Sequence, residues 1–365
     1  MRTQVAVVGL GAVGATAAYD LARHGADVVA FEKDGIAAES SGRAAGIVYD
    51  AFAEDVDARI ADRAMERFHQ LSGEGDFRLH QTPYLWFATE PGDAADAIDE
   101  QVAGMRRHDR DVDPVDREWL RSHYASLHWG DVETAAIAHT AGTANPAAYT
   151  DLLATKAEQT GARLRTDTAA SVATDPPRVN GDEYDAVLVA AGAHTKQMLA
   201  DADIAVPLKP YRVQALVTSG PAIPTIYDAT AGYYARPHRD GILAGDGTIP
   251  IEADPDDYDR GGDDDFVDDV TGHLESRLVN FDAGVDRAWA GLCVATPDRD
   301  PLLGELDDGI FVAAGWQGHG FMRAPATGEH VADQILGETD GIDAFDPSRF
   351  SGDEAFEIVE GMAYD

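Results

Sequence analysis

The chain of 365 residues is long enough for one large domain or two ordinary ones, and its 44% hydrophobic content excludes a disordered chain. Its 66 acids against 28 bases leave a formal net charge of −38, with lysine only at Lys33, Lys156, Lys196 and Lys209. That sign disfavours a nucleic-acid or anionic-membrane partner, since both need basic footprints. The acids are spread along the chain, with one dense run from Asp254 to Asp269. Spread and lysine depletion together predict a strongly hydrated surface held in concentrated salt, hence a salt-loving source, ahead of a docking face for a basic partner. Cys293 stands alone, so no intrachain disulfide can form. No apolar run is long enough to span a bilayer, and no secretory leader precedes the strand-like run at Gln4, so the cytoplasm is the expected compartment.

The first 35 residues carry the first motif. Gln4–Val8 reads as a buried strand that runs into Gly9-Leu10-Gly11-Ala12-Val13-Gly14. A helix-compatible stretch, Ala15 to His24, closes at Gly25, and a second strand, Asp27–Phe31, ends on Glu32 beside Lys33. In a dinucleotide-binding βαβ unit the glycines have separate tasks. Gly9 permits the tight turn, Gly11 lets backbone approach a pyrophosphate, and Gly14 allows strand and helix to pack closely. The helix N-terminus offers N–H groups and a positive dipole end to the phosphates. Glu32, 18 residues after Gly14, is placed to accept from ribose hydroxyls, which favours FAD or NAD over NADP.

That motif alone does not separate FAD from NAD, and four later segments bear on the choice. The first is Ser40-Ser41-Gly42-Arg43-Ala44-Ala45-Gly46-Ile47. In the second, Gly142 to Pro146 opens a helix Ala147–Thr160, followed by strands at Arg163–Thr166 and Ala186–Ala190 that lead to Ala191-Gly192-Ala193-His194. The third runs from Tyr233-Tyr234-Ala235-Arg236-Pro237 through Asp240 to Gly245. The fourth joins Trp289-Ala290-Gly291-Leu292, Thr296-Pro297-Asp298, a strand Ile310–Ala313 and Gly315-Trp316-Gln317-Gly318-His319-Gly320-Phe321. A closing helix is expected to begin at Ala324, with Pro325 in its first turn.

This array resembles the D-amino-acid oxidase-like flavoproteins, a superfamily that includes glycine oxidase, sarcosine oxidases and amine dehydrogenases, over residues 4 to about 337. The resemblance implies FAD held without a covalent bond. It places Gly9, Gly11, Ala12, Val13, Gly14, Glu32 and Lys33 at the dinucleotide. Ser40, Ser41, Arg43, Ala44, Ala45, Gly46 and Ile47 would pass along the flavin. Ala170, Ala191, Gly192, Gly291, Gly315, Gln317, Gly318, His319, Gly320, Phe321 and Met322 would complete the cofactor site. A helix N-terminus at the glycine-rich turn would favour negative charge on the reduced ring by ~1 kcal/mol. His194 replaces the family's usual aromatic residue, a change expected to alter packing more than chemistry.

For catalysis the resemblance points to Tyr234 and, as a candidate base, His319. Tyr234, Arg236 and Trp316 are the substrate candidates. Because flavin carries the hard step, no Ser-His-Asp set, HExxH or CxxC is needed and no metal is expected. The arginines that hold a carboxylate in glycine-oxidase-like members have no counterpart, since Cys293 and Gly318 occupy those positions. Arg43, Arg212, Arg236 and Arg323 are the other possible carboxylate partners, each more readily a salt-bridge member. Leu243 takes the place of a lysine that some sarcosine oxidases use with oxygen, leaving O2 or an electron-transfer partner as acceptor. Gly291 takes the place of the cysteine that attaches flavin in some sarcosine oxidases.

The expected fold is α/β: a discontinuous Rossmann-like FAD-binding domain (1–80, 141–209 and 288–365) with an inserted antiparallel-sheet α+β substrate domain (81–140 and 210–287). The expected activity is hydride transfer from the C–N bond of a small amino acid or secondary amine to flavin. Two alternatives stand beside it: an FAD-dependent 2-hydroxy acid or polyol dehydrogenase, and a nucleotide-binding subunit of a heteromeric dehydrogenase. An oligomer is compatible with all three.

Overall fold

The computed structural model describes residues 2–239, 241–245, 247–282 and 284–359. Asp240 of the third segment and the chain end at 360–365 lie outside the described residues.

The run QVAVV forms strand β1 (Gln4–Val8), and its alternate side chains feed two different cores. Val5 and Val7 join one hydrophobic cluster, Ala6 and Val8 the other. Such a strand is buried on both faces, which is why it reads as continuously apolar. Helix α1 (Ala12–Arg23) returns antiparallel to it, and β2 (Asp27–Phe31) pairs with β1 in parallel. The six-stranded sheet has the order 302–307, 310–314, 186–189, β1, β2, 163–165. All neighbours are parallel except the edge strand Leu302–Asp307, which runs antiparallel to Ile310–Ala314.

Helices α1, Asp55–Leu71, Pro146–Thr160 and Gly320–Ile335 pack together on one face. A three-stranded meander and the helix Thr195–Ala200 supply the apolar cover on the other. The helix Pro146–Thr160 starts where expected because Asn145 Oδ1 accepts from Ala147 N–H (3.0 Å), and it ends at Gly161 in the left-handed region. The closing helix differs from expectation. It begins at Gly320, four residues early, so Pro325 lies in its second turn and leaves the Phe321 carbonyl without its helical donor. The expected loop at Ser40–Ile47 also holds one short helical turn, Ser40–Arg43.

The second sheet has nine strands among the described residues, in the order 249–252, 209–219, 241–245, 233–238, 225–228, 84–88, 134–138, 112–114, with Val285–Ala295 also pairing with Lys209–Ser219. Its pairings are antiparallel except where Thr225–Asp228 meets Tyr84–Ala88, the junction between two separately inserted stretches of chain. Lys209–Ser219 and Val285–Ala295 pair along their length, so the expected boundaries at 209/210 and 287/288 fall inside strands. One face of this sheet packs on Trp129 and on the helix Asp264–Arg277 through Phe266, Val270 and Leu274. The other carries Tyr84, Trp86, Tyr227 and Tyr234 and turns toward the first sheet. No helix among the described residues is long and apolar enough to cross a membrane.

Candidate active site

A cavity of about 660 Å3 runs from the β1–α1 turn to the tyrosine-bearing face of the second sheet. At its dinucleotide end, Gly9 has φ +99°, and a Cβ there would lie 2.4 Å from the Ala190 carbonyl oxygen. Gly11 caps α1 without a side chain, and a Cβ on it would project only toward Ser41 Oγ, at 3.0 Å. That leaves backbone N–H groups at a positive helix end facing open space. Ser41 Oγ accepts from Ala12 N–H at 2.9 Å.

Glu32 is fixed at the cavity wall. Its Oε2 accepts from Leu10 N–H (2.9 Å) and its Oε1 from Asp34 N–H (3.1 Å), leaving lone pairs for a ribose diol. Lys33 Nζ lies 3.3 Å from His194 Nε2, which in turn lies 3.0 Å from Asp256 Oδ1. His194 is therefore more than a packing substitute: with Asp256 it ties the acidic 253–263 segment across this end. A charge-rich knot continues that closure. Glu39 accepts from Arg43 Nη1 (2.5 Å) and Arg260 Nη2 (3.0 Å), with Tyr258 beside them.

The Ser40–Ile47 stretch is pinned under the Val285–Ala295 strand. Ser40 Oγ donates to the Leu292 carbonyl (2.7 Å), and Trp289 Nε1 donates to the Arg43 carbonyl (3.1 Å). Ala44, Ala45, Gly46 and Ile47 line the cavity as expected of small residues beside a flat ring. So do Ala170, Ala191, Gly192 and Gly291, and the turn residues Trp316 to Met322. Gln317 is locked in the turn, accepting from Thr296 N–H through Oε1 (3.3 Å). Because the closing helix starts at Gly320, its N-terminus lies within this cavity-lining turn.

Three expected site residues stand outside the cavity wall. Gly14 packs behind it, where a Cβ would lie 1.9 Å from the Gly9 carbonyl oxygen. Gly315 faces Thr296 and Leu208. Arg236 lies on the site-facing side of its strand, yet one row beyond the wall formed by Tyr234. Tyr234 and His319 both line the cavity. Burial, ahead of the neighbouring Arg323 charge, pushes the His319 imidazole down to about 3, so it stands neutral. The residue is half-buried on the cavity wall, and its ring meets Phe52 edge-on, with centroids 6.4 Å apart.

Tyr49, Tyr84 and Tyr227 also line the substrate end, and sequence reasoning did not assign them to the site. For Tyr84 alone a signal was present as alternation: Tyr84 and Trp86 share one strand face, and Leu85 and Phe87 the other.

Glycine turn, helix N-terminus, terminal carboxylate and a connected cavity beside a second sheet define the site of a dinucleotide-binding protein. The comparisons narrow this class. Residues 4–334 match the DAO family, described as FAD dependent oxidoreductase, and the chain belongs to that family. Its cofactor is FAD, held without a covalent bond as is typical of the family. The chain is 28% identical to a 4-methylaminobutanoate oxidase (formaldehyde-forming) of Paenarthrobacter nicotinovorans, covering 96% of this chain and 46% of that protein. It is 26% identical to a glycine oxidase of Pseudomonas aeruginosa, covering 94% of this chain and 97% of that one. Among solved structures, an L-proline dehydrogenase from P. horikoshii superposes with a TM-score of 0.83 at 26% identity, covering 95% and 97% of the two chains. Against two curated relatives the chain spans only about half the length, 46% and 57%.

The residues fit the cofactor. The unfilled approach at Gly11, the uncapped helix end and the oriented Glu32 suit the pyrophosphate and ribose, and the small-residue loop suits the ring. When bound, FAD supplies the hydride acceptor.

Proposed function

We propose that this protein is an FAD-dependent oxidoreductase that takes a hydride from the C–N bond of a small amino acid or amine. The observation that carries the reading is the single cavity joining the dinucleotide turn to a pocket walled by Tyr49, Tyr84, Tyr227 and Tyr234. Tyrosine faces suit an amine, and water is kept out by aromatic walls. The relatives named above act, by their names, on amino acids or methylated amines. Tyr234 and Trp316 position the substrate, with the Ser40–Ile47 loop and the Gly315–Met322 turn on the ring. Residues 1–80, 141–209 and 288–365 serve the cofactor, and 81–140 and 210–287 the substrate. O2 or an electron-transfer partner reoxidises the flavin.

A second reading has one observation in its favour. A neutral His319 on the cavity wall is a competent proton acceptor for an alcohol, as a 2-hydroxy acid or polyol dehydrogenase would need. Anaerobic mixing of the yellow holoenzyme with amines and hydroxy acids decides between them. Bleaching by an amine supports the first reading; bleaching by hydroxy acids alone overturns it. We also propose that the acidic surface adapts the protein to concentrated salt, with cytoplasmic residence.

A further inference from the structure

The dense acidic run from Asp254 to Asp269 begins at the wall of the candidate site. Residues 253–263 leave the edge strand Ile249–Glu252 of the second sheet and cross the dinucleotide end of the cavity, which Pro255 and Asp256 line. Both ends of the stretch are stitched by backbone. Ala253 N–H donates to the Pro210 carbonyl (2.8 Å), and Ala290 N–H donates to the Arg260 carbonyl (2.9 Å). Buried Arg212 secures the second end. Its Nε donates to the Asp259 carbonyl (2.9 Å), its Nη2 to the Gly261 carbonyl (2.6 Å) and its Nη1 to Asp263 (2.6 Å). Among the described residues, the N–H groups of Asp256 and Asp257 between those ends only turn back to Asp254.

Side chains tie that middle to the cofactor side of the cavity. Asp256 Oδ1 lies 3.0 Å from His194 Nε2 and 3.8 Å from Nζ of Lys33, the neighbour of Glu32. Tyr258 packs on a core cluster of the first sheet, and Arg43 Nη1 donates to its hydroxyl at 3.3 Å. Arg260 Nη2 donates to Glu39 at 3.0 Å, and at the root of the stretch Lys196 Nζ donates to Glu252 at 2.5 Å. Two of the chain's four lysines thus meet this one segment. Acids beside an anionic dinucleotide repel it unless bases meet them, and here the bases come from the cofactor side. Asp256 is 61% and Arg260 46% exposed, so each pair is weak and opens readily. Fixed ends and an ionically held middle make a strap that can swing.

We propose that residues 253–263 are a cofactor clasp, which closes the dinucleotide end of the cavity over bound FAD and releases it when the Asp256 and Arg260 pairs open. Retention of FAD then depends on a segment of the second sheet's insertion as well as on the glycine turn. The start of the acidic run gains a task distinct from hydration and from docking a basic partner. The inference rests on the cofactor, and not on which bond the enzyme oxidises.

The test dilutes holoenzyme at one fixed KCl concentration and follows the rise of free-flavin fluorescence as FAD leaves. Asp256→Asn and Arg260→Gln should each speed release about two- to fivefold, the scale of one exposed ion pair. The double variant should release FAD faster than either. Asp257→Asn removes the same charge from an exposed residue outside these pairs, and should keep the wild-type rate. A double variant no faster than wild type, or an equal acceleration by Asp257→Asn, would overturn the proposal. Slower release from Asp256→Asn, the sign that plain repulsion between acid and phosphate gives, overturns it too. Trypsin supplies a readout without substitution. Bound FAD should slow cutting after Arg260 well beyond its effect after exposed Arg107, at the end of the helix Asp93–Arg107. Equal protection at the two sites would contradict the clasp.

Discussion

Tyr234 and Gly245 face each other across paired strands so closely that a Cβ on Gly245 would lie 2.3 Å from the tyrosine hydroxyl oxygen. The phenol can lie flat over the neighbouring strand because that strand has no side chain there. Gly245→Ala must displace Tyr234 or the strand, since the Gln214 backbone oxygen also lies 2.9 Å from the added carbon. The expected result is slower flavin reduction with FAD content unchanged, and a stability loss of ~1–3 kcal/mol from overpacking. Rapid-mixing reduction and chemical denaturation measure the two effects.

Glu32 is held by Leu10 and Asp34 N–H groups with lone pairs to spare. Glu32→Ala removes both anchors and the ribose acceptor. It should weaken FAD retention by ~1.5–3 kcal/mol, read as flavin lost during dialysis. Retention equal to wild type would remove Glu32 from the cofactor site.

Asp20 on α1 is 0% exposed, and Arg67 on the Asp55–Leu71 helix donates to both its oxygens at 2.7 and 3.1 Å. Arg67→Met leaves that buried carboxylate with only the half-exposed Arg23, whose Nη2 lies 3.1 Å from Oδ1, at a cost of up to ~3–5 kcal/mol. Arg67→Met combined with Asp20→Leu should regain much of the loss in urea denaturation. A double variant as unstable as the single would argue that the pair carries the packing itself.

His319 gives a pH signature. Its imidazole is pushed down to about 3 in the fold, whereas in the unfolded chain it protonates near its ordinary 6.5. Its contribution is complete above 6.5 and is lost as pH falls from there toward 3, by at most about 1.4 kcal/mol per pH unit. Asp50 and Asp300, raised to about 6 chiefly by burial, act in the opposite sense over that range. The comparison is therefore between wild type and His319→Gln. The variant should lose stability less steeply between pH 6.5 and 4, and parallel curves would contradict a neutral His319.

With a charge of −38, unscreened repulsion should loosen the protein in dilute buffer. Melting temperature should climb steeply from low to molar KCl. A flat or falling trend would assign the acids to a basic partner instead.

The glycine turn, β1, β2 and Glu32 were legible because one short stretch holds every part, each with its own local reason. The Gly315–Phe321 turn was legible through its resemblance to the family's glycine-rich turn. The start of the closing helix was not: Pro325 signals a first turn, but the chain already turns helically at Gly320 and tolerates proline in the second. Tyr49 and Tyr227 gave no local signal, because a tyrosine in a strand reads as core until the second sheet is placed over the first. Arg236 looked like three other arginines in sequence. Among the described residues, Arg43, Arg212 and Arg323 each face a carboxylate, which sequence could not show.

The most direct test of the whole account is anaerobic addition of small amines and amino acids to purified protein while the visible spectrum is recorded. The account predicts a yellow protein whose flavin bands bleach with at least one C–N substrate, and whose colour passes entirely into the supernatant on acid precipitation. A colourless protein that cannot be reconstituted with FAD, or a flavin that bleaches only with hydroxy acids, would contradict it.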